Sequence, residues 1–300
     1  MRKRIVVALL GLVWIGTQTL GAQRIPAAVV EDPPVDKKFP PSILGITIPS
    51  HGVDMDATLY LASGPGSQGT VLLLNGLPGY EQNIDLAQSV RRAGWNVLLF
   101  HYRGTWGTAG TFSGSAAIED TAEAIHFLRD PANTAKYRMD PHRLVVIGHS
   151  FGGFLAGYQT SHDPGVAGVA IISATNLGKI NAEPGEKEIR MKRWETQLHP
   201  VRGTTASELF AEAARHSKDW DYLQWAEALR ACPVLLIEAD DQNHDDMAAL
   251  SPALRQKGSV ALDQKSVATD HTFSDHRIAL QAIVIDWLEK LEANSSTERH

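Results

Sequence analysis

Ser150 stands between two glycines in the run Gly148-His149-Ser150-Phe151-Gly152, at a point where the chain changes its pattern. The residues before it, Leu144 to Ile147, form an apolar, β-branched run of the kind found in strands buried on both faces. Those after it, Phe151 to Thr160, are small and apolar residues with helical character. Gly-x-Ser-x-Gly alone is a weak signal in a chain with 25 glycines. A copy that closes a strand and opens a helix has the arrangement of a nucleophile elbow. There the serine is held at positive φ, and the flanking glycines let strand and helix approach without a Cβ between them. The plain alternative is a glycine-rich structural turn with an idle serine.

A serine hydroxyl attacks a carbonyl only when a base removes its proton, and the base must be oriented by a third group. His271, in Ala268-Thr269-Asp270-His271-Thr272, follows the last expected strand and precedes the last expected helix, which places it at the elbow's edge of a sheet. His276 is its competitor, but it begins the closing helix. The third group belongs at the end of the preceding strand, where Asp240, Asp241, Asp245 and Asp246 crowd together after Glu238. Asp245 and Asp246 are explained by the first turn of a helix, where acids are favoured. Asp241 is preferred to Asp240 because it lies further into the turn. His244 beside these acids lacks any metal-ligand spacing, so no metal and no cofactor is expected. A developing oxyanion needs two N–H donors. Phe151 supplies one as the first residue of its helix, and Leu77, in Asn75-Gly76-Leu77-Pro78-Gly79, is the natural second. The plain reading of that stretch is a Gly/Pro turn.

These residues need a frame. Strand-like runs at Ile43–Pro49, Asp56–Ser63, Thr70–Gly76, Trp95–Tyr102, Arg143–Ser150, Val166–Ala174, Pro233–Asp240 and Val260–Val267 alternate with amphipathic helical segments after the second run. Such alternation predicts a mostly parallel eight-stranded sheet with helices on both faces. One interval, about residues 177–231, is too long for a connection and carries Trp194, Trp220, Tyr222 and Trp225. It is expected to lie over the top of the sheet.

The 300 residues, 43% hydrophobic and 21% charged, suffice for one large α/β domain. A net charge of −6 without a basic block argues against a nucleic-acid partner. Arg2, Lys3 and Arg4 precede the apolar Ile5–Gly16 and the small residues Gly21 and Ala22, the plan of a signal peptide over residues 1–22. The apolar run falls short of the ~20 residues of a spanning helix, although an uncleaved anchor is the alternative. Residues 23–41 read as a Pro-rich leader and 42–300 as the folded domain. Export to a periplasmic or extracellular compartment follows. Cys232 is the single cysteine, so stability must come from the core rather than a disulfide.

Taken with "NGLPGYE", "HYRGTWGTAGTFSG", "GHSFGG", "PVLLIEADD" and "DHTFSDHR", the chain resembles the α/β-hydrolase superfamily from about Ile43 onward. The order Ser150, Asp, His271 is that superfamily's order. Within it the chain is similar to bacterial esterases, serine aminopeptidases and dienelactone hydrolases. The resemblance implies a three-layer fold with a helical cap between strands six and seven, and acyl transfer through an acyl-enzyme on Ser150. Small carboxylic esters are the implied substrates, and an amidase or aminopeptidase is the nearest rival. The acids of Ala182–Glu188 would be its amine anchor. A non-catalytic binding protein of the same fold, or an acyltransferase, are the readings of other classes. Asn75-Gly76 stands where the family usually has His-Gly, and the turn after strand seven is about one residue short, which leaves Asp240 open beside Asp241. Arg103 could meet a substrate carboxylate, though a loop-anchoring ion pair is the simpler use.

Overall fold

The computed structural model describes residues 24–181 and 184–297, so the expected signal peptide lies outside the described residues. The elements run α1 (Ala27–Val30), β1 (Ser42–Ser50), β2 (Val53–Leu61), β3 (Gln68–Leu74), α2 (Ile84–Arg92), β4 (Asn96–Phe100), α3 (Gly114–Arg129), α4 (Pro131–Tyr137), β5 (Met139–His149) and α5 (Phe151–His162). They continue with β6 (Gly168–Ile172), α6 (Pro184–Gln197), α7 (Ala206–Arg215), α8 (Ala226–Leu229), β7 (Val234–Ala239), α9 (His244–Gln256), β8 (Leu262–Val267) and α10 (Arg277–Thr297). One eight-stranded sheet has the order β1-β2-β4-β3-β5-β6-β7-β8. The β1–β2 and β2–β4 pairs are antiparallel, and every pair from β4–β3 to β7–β8 is parallel.

Alternate residues of the central strands serve two cores, as the period of two requires. Leu72, Leu74, Leu144 and Val146 join one cluster with α3, α5 and α9. Val71, Leu73, Val145 and Ile147 join the other with α2 and α10. This is why the strands read as unbroken apolar runs: both faces are covered. The fold is the three-layer α/β arrangement expected from the sequence.

Local signals set the ends. Gly94, at φ +96°, donates to the Arg91 carbonyl while the Trp95 amide reaches Val90, closing α2 in a left-handed cap. Asp130 accepts from the amides of Ala132 and Asn133 at 2.9 and 3.0 Å, with Pro131 at the first helical position, so α4 starts where α3 stops. The Pro-rich leader is not detached. Ala28 and Val29 pack against the α2/α10 core, and Arg92 donates to their carbonyls at 2.6 and 3.3 Å.

Between β6 and β7 the described chain forms α6, α7, α8 and two short 3-10 turns. Its base is fastened to α5: Phe154 meets the rings of Trp220 and Trp225 at 5.6 and 5.4 Å, and Tyr222 is fully buried. Three of the four aromatics singled out in the sequence therefore serve as packing.

Candidate active site

Ser150, between β5 and α5, has φ +60° and ψ −121°, a conformation that costs a non-glycine residue of order 1–3 kcal/mol. Its backbone is held from several sides. The Ser150 amide donates to Ile172 at 2.9 Å, and its carbonyl accepts from Gly153, Phe154 and Thr175. A Cβ on Gly148 would lie 1.9 Å from the Gly152 carbonyl oxygen, and one on Gly152 would lie 2.2 Å from that of Leu74. No side chain fits at either place, which explains both glycines of the motif.

His271 and Asp241 converge on this corner. His271 Nε2 lies 2.9 Å from Ser150 Oγ, and Nδ1 lies 2.6 Å from Asp241 Oδ2. A carboxylate only accepts, so Nδ1 carries the proton and Nε2 presents its lone pair to the serine. Burial alone would raise the Asp241 carboxyl. Hydrogen bonds from His271, the Ser173 hydroxyl and the Asn243 amide outweigh that and hold it below the usual carboxylate range. Asp240 is exposed, with its amide on the Thr269 carbonyl, and Asp245 is exposed at the start of α9. His276 pairs with its neighbour Asp275. Glu238 accepts from Gln264 instead of meeting His271. Of these candidates, Asp241 and His271 are the two whose side chains are brought into one hydrogen-bonded chain with Ser150.

Two participants escaped the sequence reading. Ser173, just past β6, is fully buried at φ +40°. Its hydroxyl donates to Asp241 Oδ2 and its oxygen lies 3.0 Å from His271 Nδ1. Its only signal was a polar residue at the end of an apolar strand. His149 lies inside the motif itself. Its Nε2 is 2.6 Å from the His271 carbonyl, and a carbonyl accepts, so His149 donates there and ties down the loop that carries His271. Burial, reinforced by His271, pushes the His149 imidazole down to about 3, so it is neutral at ordinary pH.

Leu77 and Phe151 line the cavity that also contains Ser150 and His271. A Cβ on Gly76 would come within 3.2 Å of Ser150 Cβ, so the loop passes directly over the serine. Two donors brace that loop: Tyr102 to the Asn75 carbonyl at 2.9 Å and Trp106 Nε1 to the Pro78 carbonyl at 2.6 Å. Asn75, the departure from the family pattern, uses its side-chain amide to hold the Phe100 carbonyl at 3.3 Å, tying the loop to the end of β4.

A model of the alpha/beta hydrolase family matches residues 71–287. The chain belongs to that family. No curated protein sequence matches this hydrolase. Among solved structures it is similar to a fungal esterase from Rhizomucor miehei, with a TM-score of 0.65 and 16% identity over 90% of this chain and 88% of that one. A Pyrococcus furiosus esterase gives 0.62 and 17% over 86% and 97%. The Pyrococcus horikoshii acylaminoacyl peptidase gives 0.62 and 15% over 84% of this chain and 41% of that one. Identities this low speak to the shared fold.

The hydrolase cavity is small, about 110 Å³. One wall is the elbow with Leu77, Phe151 and His271; the facing wall comes from α6 through Arg190, Arg193, Trp194 and Gln197. Trp194 is thus the one singled-out aromatic that lines the cavity. Of the acids of Ala182–Glu188 expected to anchor an amine, Glu188 is exposed and does not line the cavity, while Glu183 and the side chain of Glu186 fall outside what is described. Behind Trp194 an apolar slot between Leu77, Phe112 and Leu209 holds only about 10 Å³.

Arg103 is committed elsewhere in the hydrolase. Its guanidinium meets Asp120 and Glu119, both at 2.5 Å, which is the loop-anchoring use. His244 lies against the Ala239 carbonyl, and among the described residues no cluster of His, Cys, Asp and Glu could hold a metal. Burial pushes the Cys232 thiol up to about 12, far from a nucleophile's range.

Proposed function

We propose that this hydrolase cleaves small carboxylic esters through Ser150, His271 and Asp241. The observation that carries the reading is the unbroken hydrogen-bonded chain from Asp241 through His271 to Ser150 Oγ at a strained strand–helix corner. His271 Nε2 takes the hydroxyl proton as Oγ attacks the ester carbonyl. The amides of Leu77 and Phe151 receive the oxyanion. The tetrahedral intermediate collapses, His271 returns the proton to the leaving alcohol, and an acyl-Ser150 remains. Water, deprotonated by His271, then attacks the acyl carbon; His271 returns that proton to Ser150 Oγ as the acid leaves. Asp241 holds the imidazole tautomer throughout, and every proton is accounted for without a cofactor.

A cavity of about 110 Å³ supports small substrates. The aminopeptidase alternative would need an anion for its amine, and the one acid lining the cavity, Asp246, is already engaged by Lys179, so the ester reading is preferred. Residues 1–22 support export, and among the described residues no helix is long and apolar enough to cross a membrane.

Intact-mass measurement after treatment with a fluorophosphonate tests the serine. One adduct on the wild type and none on Ser150→Ala is expected, with ester turnover falling by roughly five to six orders of magnitude in the variant. A folded wild type that takes no adduct would return the chain to the non-catalytic reading.

A further inference from the structure

The proposed chemistry uses only the elbow side of the cavity. The α6 side brings Arg190, Arg193, Trp194 and Gln197, spaced as one face of a helix, into the same space as Ser150 and His271. Arg193 is exposed on this wall, and a guanidinium there is a good neighbour for an anionic arm of a ligand. Asp246, the one acid lining the cavity, is engaged by Lys179 at 3.4 Å. Arg190 donates to the Ile180 carbonyl at 3.5 Å, which leans its stem along the wall. Among the described residues no carboxylate forms an ion pair with the Arg193 guanidinium.

The apolar slot sharpens the argument. At about 10 Å³ behind Trp194 and Leu77, it admits little beyond the first carbons of one arm of an ester. So short an arm contributes little binding energy, at ~0.8 kcal/mol per buried CH2. Recognition then falls to the other arm, and the wall it meets carries Arg193 among the neutral amides of Asn176, Gln197, Gln242 and Asn243.

We infer that the site takes esters that carry a carboxylate, and that Arg193 on α6 is the cation that anchors it. This inference rests on the serine-hydrolase reading. A guanidinium offers a planar fork that matches both oxygens of a carboxylate, which fixes the orientation of the ester as well as its affinity. The acyl arm and the alcohol arm are both possible bearers of the anion, and the experiment separates them.

Two matched pairs are the probes. Phenyl acetate against 3-acetoxybenzoate places the charge on the alcohol arm; methyl butyrate against monomethyl succinate places it on the acyl arm. Rates per fluorophosphonate-labelled Ser150, divided by the hydroxide rate of each ester, give the anionic-to-neutral ratio of kcat/KM. A ratio of about tenfold or more in one pair is expected for the wild type, falling toward one in Arg193→Gln and below one in Arg193→Glu. Arg193→Lys keeps the charge without the fork and should retain part of the ratio. A variant that merely misfolds loses labelling and both esters together, leaving the ratio per labelled serine unmoved, and Arg193→Lys then decides. Ratios at or below one in both wild-type pairs, or a ratio indifferent to Arg193→Gln and Arg193→Lys, would overturn the inference. A wild type that does not label at all fails the serine-hydrolase reading first; one that labels without a ratio fails this inference alone.

Discussion

The two walls of the cavity are built on opposite principles. On the elbow side the parts are backbone and short side chains, packed so closely that a single Cβ at Gly148 or Gly152 collides with a carbonyl. Across from it, α6 presents long side chains, and its outer face is open enough that Ile189 is 70% exposed. The first wall fixes atoms to within the tolerance that proton transfer needs. The second fixes only the kind of group it faces. On the proposed function, chemistry and selectivity are thus assigned to separate walls of one cavity, and the first should be far less forgiving of change than the second.

The strongest test of that contrast lies at Asp241. Asp241→Asn should lower kcat by about 10⁴, because the amide stabilises the wrong imidazole tautomer, while Asp240→Asn should change it less than about threefold. Equal losses in the two variants would mean that the side chains exchange places in solution.

Next comes acid. His149 is held neutral to about pH 3, whereas in the unfolded chain it binds a proton near 6.5. Between those values the unfolded state takes up a proton that the folded state refuses, so stability falls as pH falls, by ~1.4 kcal/mol per unit. Asp241, whose carboxyl is held low, adds to the loss once the pH drops below the ordinary carboxylate range. Denaturant melts at pH 7, 6 and 5 should show about half this slope from pH 7 to 6 and close to all of it from 6 to 5, and His149→Asn should reduce it. His101, also held low by burial, contributes equally to both proteins and cancels in the difference. An identical slope in the variant would remove His149 from the account.

The facing wall should respond least. Trp194→Ala removes a partly buried ring that sits edge-on to Phe210 at 5.3 Å, and a KM increase of three- to tenfold with kcat within about twofold is expected. A kcat loss as large as that of Asp241→Asn would end the division of labour between the walls.

What could be read from the sequence follows the same division. Strands covered on both faces announce themselves as apolar runs, and Gly-x-Ser-x-Gly at a strand–helix junction states its own geometry. The sequence prefers Asp241 to Asp240 only by its place further into the turn, since adjacent residues differ in little but the side to which the turn points them. Ser173 was invisible because its role depends on a left-handed backbone in a non-glycine residue, for which no local pattern exists. The short α1 and α4 fell below the length at which periodicity speaks, although Asp130-Pro131 carried the start signal for α4. The face of α6 was present as a spacing of arginines and a tryptophan. Only the placement of that helix opposite Ser150 gave the spacing a meaning.

The loop after β4 and the segment after α6 are sewn together by main chain. Trp106 donates to the Pro200 carbonyl at 2.9 Å, Arg202 to Gly104 at 2.8 Å and Phe112 to Arg202 at 3.0 Å, around a bridge between Thr105 and Val201. Trp106 in turn holds Pro78 beside the serine. The roof of the cavity is therefore jointed at one end to the strut that braces the oxyanion loop. Trp106 bonds to both Pro200 and Pro78, so the segment after α6 and the loop over Ser150 cannot be repositioned independently without breaking one of these bonds.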